Sequence, residues 1–115
     1  MRRELIEKMF AAVDACDWPG LQGFYHPACR YERPGFEAIE GLERLLRFYE
    51  VDRPIRSGLH RVDEVLEDRN GACAFGSFDG RLRTGEAISL NFADRYVFDG
   101  EVIRARTTYF YAPLA

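Results

Sequence analysis

Chemistry built on metals or disulfides has little to work with in this chain. Its three cysteines, Cys16, Cys29 and Cys73, are odd in number, widely separated and without a CxxC pair. That argues against a disulfide framework or a zinc site and fits free thiols in a reducing cytoplasm. Histidine occurs only at His26 and His60, which speaks against a histidine-based metal site. No Ser-His-Asp order, Gly-rich phosphate loop or HExxH motif is present, so the chemistry expected is cofactor-independent, with no metal. Lysine is nearly missing as well: Lys8 is the exception among sixteen basic residues, and the arginines are spread as codon bias would spread them. No apolar run approaches the ~18 residues of a membrane span. Arg2 and Arg3 lead into Glu4, Glu7 and Lys8 rather than a signal-peptide core. A net charge of -3 leaves no electrostatic footprint for nucleic acid.

What is present describes a globular chain. Hydrophobic residues at 47% and charged residues at 30% are ordinary for a packed domain. A length of 115 residues suits a single domain over 1–115. Leu5, Ile6, Met9, Phe10, Ala12 and Val13 recur at helical spacing and predict a helix over 3–15. Asp17 is a fair N-cap and Pro19 suits a first turn, so a short second helix is expected through Leu21, Phe24 and Tyr25 to a stop at Pro27. A strand over 28–33 ends at Pro34-Gly35, and a third helix over 41–50 carries Leu42, Leu45, Leu46 and Tyr49 on one face before Pro54.

From Leu59 the hydrophobic period changes to two. Strands are expected near 59–67, 72–83, 86–98 and 101–111, separated by Asp68-Arg69-Asn70-Gly71, Thr84-Gly85 and Asp99-Gly100. Asp79-Gly80 inside a strand suggests a bulge or bend. Helices followed by a strand meander imply an α+β fold. Alternation puts Leu90, Phe92, Asp94, Tyr96 and Phe98 on one face of their strand. In the last strand, Ile103, Ala105, Thr107, Tyr109 and Tyr111 are the better candidates for the concave side. Asp94 then becomes a carboxylate set among aromatic rings.

Three stretches carry a resemblance. They are Val13-Asp14-Ala15-Cys16-Asp17-Trp18-Pro19-Gly20 with Tyr25 and Tyr31-Glu32-Arg33-Pro34; Gly41 through Phe48-Tyr49; and Asp94 through Asp99-Gly100-Glu101-Val102 to Thr108-Tyr109. Together they resemble ketosteroid isomerases and SnoaL-like polyketide cyclases of the nuclear transport factor 2-like superfamily. The resemblance implies a cystatin-like, cone-shaped α+β barrel: three N-terminal helices on a strongly curved, mainly antiparallel sheet around an apolar cavity. It also implies a homodimer formed through the outer sheet face, with which Ala93 and Val97 are compatible.

The fold hosts many activities, so function rests on residues. The isomerase's base, an aspartate before proline, is replaced by Arg33, and its oxyanion-hole tyrosine by Phe10. Its second acid falls at Asp94 and two supporting tyrosines at Tyr25 and Tyr49. Ketosteroid isomerisation by the usual route is thereby disfavoured. Burial would penalise the charged form of Asp94 and suit it to general acid or base work, or else an arginine pairs with it for structure. Arg33 either binds a substrate carboxylate or enolate or neutralises Asp94 or Asp79. Asp79 is either a second cavity acid or part of an exposed bend. Phe10, Tyr31, Phe92, Tyr96, Thr107 and Tyr109 are expected to line the pocket, which suits an oxygenated aromatic or polyketide-like ligand. His26 reads as structural at a helix end, His60 as facing the pocket mouth or solvent, and Arg53, Arg56 and Arg61 as a solvated rim.

The expected function is a cofactor-independent isomerase or lyase, of cyclase, isomerase or dehydratase type, acting on a hydrophobic, carbonyl-bearing small molecule. The alternative is a non-catalytic ligand-binding or protein-interaction module. Epoxide hydrolysis is weaker, because Thr107-Thr108 stands where its aspartate should fall.

Overall fold

Helix α1 (Arg2–Asp14) opens the chain in a computed structural model that describes residues 2–111. Its buried face is Ile6, Met9, Phe10, Ala12 and Val13, as the helical spacing predicts. The helix stops where Cys16 takes a left-handed conformation (φ 55°) and Asp17 N–H reaches back to the Ala12 carbonyl. Helix α2 (Trp18–Leu21) starts at once, because the Asp17 side chain accepts from Gly20 N–H at 3.0 Å and Pro19 occupies the first turn.

A 3₁₀ turn over Gln22–Phe24 then gives way to strand β1 (Tyr25–Glu32). Tyr25, His26 and Pro27 therefore belong to a strand and not to the second helix. Pro27 is exposed there, where its missing N–H costs nothing. Strand β2 (Ile39–Glu40) is a two-residue edge with no sequence signal of its own. Helix α3 (Leu42–Arg47) continues as a π-helical turn over Phe48–Asp52. That wider turn rotates Phe48, Tyr49 and Arg53 into the interior.

Strands β3 (Ile55–Glu67), β4 (Gly71–Leu82), β5 (Ala87–Asp99) and β6 (Val102–Phe110) form the meander, with β3 starting four residues before the change of period predicts. The sheet order is β2-β1-β6-β5-β4-β3, antiparallel except for the parallel β1–β6 pair. Gly100, at φ 63°, supplies the left-handed residue of the β5–β6 turn. The ladder of β4 on β5 runs without a break through Asp79 and Gly80, so no turn or bulge separates them there.

Two register shifts matter most. One lies in β3 opposite Gly76, between Val62 and Glu64, and a Cβ on Gly76 would sit 2.0 Å from the Arg61 carbonyl oxygen. The other sets Val97 against Ala105 but Phe98 against Ile103, so Arg104 is the extra residue of a β-bulge. One added residue reverses side-chain parity. Ile103 faces inward before the bulge, and Arg106, Thr108 and Phe110 face inward after it. Thr107 and Tyr109 consequently leave the pocket for the outer face, where Tyr109 is 59% exposed.

Candidate functional site

The inner face of the sheet and the π-helical turn line a small cavity, and α1 packs behind its wall. Tyr31, Arg33, Tyr49, Arg53, His60, Asp94, Arg106 and Thr108 supply its polar wall, and Ile55, Phe78, Leu90, Phe92 and Phe110 the apolar one. About 20 Å³ of it is open to the centre of a water molecule, enough for a water or a small functional group. A larger depression, about 620 Å³ along Arg2, Lys8, Glu67 and Glu101, opens to solvent elsewhere and gathers no comparable set of groups.

Asp94 is 1% exposed, and both its oxygens are hydrogen-bonded. Its Oδ2 accepts from Tyr96 O–H at 2.7 Å and Arg106 Nε at 3.1 Å, with Arg106 Nη2 at 2.9 Å. Its Oδ1 accepts from Thr108 O–H at 2.6 Å. These contacts follow from register, since Thr108 lies directly across from Asp94 and Arg106 across from Tyr96. The arginine that pairs with Asp94 is thus Arg106, the residue that the bulge turned inward.

Thr108 gives its single proton to Asp94, so Tyr31 must be the donor in the 3.0 Å contact between Tyr31 and Thr108 hydroxyls. Arg106 Nη1 donates to Tyr25 Oη at 3.1 Å and Tyr49 Oη at 2.9 Å. Tyr25 points its own proton at Met9 Sδ, 3.7 Å away, behind the cavity wall. Tyr49 lines the cavity, and its O–H has no acceptor among the described residues. Burial pushes Tyr25, Tyr31 and Tyr96 up, with Asp94 adding to the rise at Tyr96. Burial pulls Arg106 down, but Asp94 and the ring of phenols outweigh it and leave Arg106 well above its ordinary value. It stays a cation.

Across the cavity stands a pair that motif reading does not find. His60 Nδ1 lies 2.6 Å from Asp14 Oδ1, and its backbone N–H donates to Asp14 Oδ2 at 2.8 Å. The ring is stacked on Phe10 at 4.3 Å between centroids and is flanked by Phe78 and Phe92. Burial lowers His60 below its ordinary value against the opposing pull of Asp14. A neutral imidazole donating Nδ1–H to a carboxylate leaves Nε2 as a free base. The sequence offers His60 only as a residue facing the pocket mouth or solvent, and nothing in it links two residues 46 positions apart.

Two arginines complete the wall. Arg33 follows the inward parity of Cys29 and Tyr31 and lies over the rings of Phe48, Phe36 and Phe110 at 5.1–5.6 Å. Arg53 is 6% exposed rather than on a solvated rim, over the rings of Tyr49 and Phe78. The Nε of each is buried with no hydrogen-bond partner among the described residues. Among the described residues no carboxylate pairs with either. Asp79 is exposed on the outer face and accepts from Ser89 O–H. It is neither a second cavity acid nor a partner for Arg33. Phe10 backs His60, Phe92 lines the cavity and Tyr96 sits behind Asp94. His26 is a strand residue whose Nδ1 accepts from Ala28 N–H at 2.9 Å.

Comparison with known proteins agrees with the architecture. No curated protein matches the sequence. Among solved structures, an NTF2-like protein of unknown function from Burkholderia pseudomallei K96243 superposes with TM-score 0.84 at 17% identity, over 95% of this chain and 89% of that one. A hypothetical protein with a ketosteroid isomerase-like fold from Catenulispora acidiphila DSM 44928, in complex with trimethylamine, gives 0.82 at 14%, over 96% and 86%. A putative SnoaL-like polyketide cyclase from Jannaschia sp. CCS1 gives 0.80 at 12%, over 93% and 83%. At such identities the likeness is one of fold. The sequence profile of the SnoaL-like domain matches residues 6–105, and the chain belongs to that family.

Proposed function

We propose that the protein is a cofactor-independent acid–base enzyme of cyclase, isomerase or dehydratase type, acting on a hydrophobic, carbonyl-bearing small molecule such as a polyketide-type natural product. The observation that carries this reading is the geometry of His60: it stands at the cavity wall with Nδ1 on the Asp14 carboxylate and no partner for Nε2 among the described residues, and burial favours its neutral form. A general base needs those three properties. In the proposed step His60 Nε2 takes a proton from the carbon next to the substrate carbonyl, and the C–H electrons move onto the carbonyl oxygen. Tyr49 O–H donates to that oxyanion, its own oxygen polarised by Arg106. The His60 imidazolium then returns its proton: to another carbon of the enolate, to the alkoxide formed when the enolate attacks a second carbonyl, or to a β-hydroxyl that leaves as water. Asp94 is a positioning residue in this scheme: both its oxygens are used in fixing Arg106, Tyr96 and Thr108.

The test is deuterium uptake beside the carbonyl, followed by NMR in D₂O across a panel of aryl ketones and 1,3-diketones. His60→Gln is expected to slow exchange by about 10²–10⁴. Unchanged exchange in a folded His60→Gln protein overturns the assignment. One observation favours a second reading, a non-catalytic binding module: Asp94 is saturated and the cavity is small. That reading predicts ligand binding with no exchange of any ketone. A second copy of the chain on the outer sheet face, where Phe75, Tyr109 and Tyr111 are exposed, belongs to the same proposal. Sedimentation should find a dimer that Tyr109→Glu dissociates.

A further inference from the structure

The lining of the cavity holds three cations, Arg33, Arg53 and Arg106, against one carboxylate, Asp94; with Asp14 behind His60 counted as well, the site still carries one positive charge in excess. Arg106 spends its charge on Asp94. Arg33 and Arg53 have no counter-ion among the described residues, and each keeps a buried Nε without an acceptor. Buried cations are ordinarily paired. Aromatic faces offset part of the cost here, but they accept none of the in-plane N–H groups. Arg53 is also held in place by design of the backbone: Arg83 Nε donates to the Arg53 carbonyl at 2.6 Å, and Arg83 Nη2 to the Glu50 carbonyl at 3.2 Å. Burial lowers Arg53 below its ordinary value, Tyr49 and Tyr31 oppose that shift, and Arg33 and Arg106 add to it; a bound anion would favour the cation.

We infer that Arg33 and Arg53 form an anion subsite, and that the ligand of this cavity is a small organic carboxylate. A planar carboxylate matches the guanidinium fork. The open space accommodates one such group, and Ile55, Phe78, Leu90, Phe92 and Phe110 supply a wall for an apolar body. Arg33, Leu90 and Phe110 are half-buried and mark the rim through which that body would extend. The inference rests on the proposed function only in taking this cavity as the ligand site; it does not need turnover.

Calorimetric titration of the full chain with benzoate and with its neutral counterpart benzamide tests it. Benzoate should bind at least tenfold tighter, and Arg53→Met and Arg33→Met should each reduce that preference about tenfold while circular dichroism stays unchanged. Arg53→Lys, which keeps the charge but loses the fork, should retain part of the preference and covers the case of an Arg53→Met protein that does not fold. Equal affinity for benzoate and benzamide, or a preference untouched by both methionine variants, overturns the subsite. Benzoate binding without exchange of any ketone supports the subsite while removing the catalytic reading. Exchange of neutral ketones with no preference for benzoate overturns the subsite and leaves the catalytic reading standing.

Discussion

Arg106 and Arg53 lie on the same cavity, are almost equally buried and face opposite electrostatic situations. Arg106 has a carboxylate, two phenol oxygens and three aromatic faces around it. Arg53 has two aromatic faces and, among the described residues, no acceptor for its Nε. A satisfied cation holds a fold together, whereas an unsatisfied one is tolerated for what it can bind. The difference separates the structural half of this site from the half available to a ligand.

The largest effect expected on stability comes from splitting the satisfied cluster. Arg106→Met or Asp94→Asn strands the remaining charge in the interior and should cost about 3–5 kcal/mol by urea denaturation. Replacing both together, Arg106→Met with Asp94→Leu, should recover most of that loss. If the single variants are as stable as the parent, the pair is not the structural unit described. Tyr49→Phe, which removes one acceptor from Arg106 Nη1, should cost about 1.5–3 kcal/mol. Arg53→Met should stay within about 1 kcal/mol of the parent, because it removes an unpaired buried charge. A cost like that of Arg106→Met would erase the contrast between the two arginines.

The smallest effect is that of pH on His60. Burial lowers its folded-state value below 6.5, so the unfolded chain binds the extra proton first as pH falls. The stability that His60 contributes is complete above pH 6.5 and is lost as pH drops from there through the lowered folded value. His60→Gln should flatten that part of the stability–pH curve. A parent curve that does not change with His60 removed would contradict a neutral buried imidazole.

Much of this was legible in the sequence where a single period governed. Asp94 among Phe92, Tyr96 and Phe98 follows from alternation along β5, and the inward side of Arg33 from the parity that the family resemblance implies for the first strand. The rest failed where the period breaks. The bulge at Arg104 cannot be read from Val102 to Phe110, which alternate plausibly on either face, so unbroken alternation puts Thr107 and Tyr109 inward and Arg106 outward. The π-helical turn has no signature in Phe48–Asp52, which made Arg53 look like one more surface arginine. The His60–Asp14 pair depends on α1 crossing β3, a tertiary contact that neither local pattern contains.

The central claim is that the base of this cavity is His60, neutral and held by Asp14, while Asp94 serves the framework. The two histidines make a direct test, because they are predicted to be opposite tautomers. A ¹H–¹⁵N correlation spectrum at pH 7, with His26→Gln for assignment, should show His60 protonated at Nδ1 with a bare Nε2, titrating below pH 6.5. His26, whose Nδ1 accepts a backbone N–H, should carry its proton on Nε2. A His60 that is an imidazolium at pH 7, or that bears its proton on Nε2, would contradict the account.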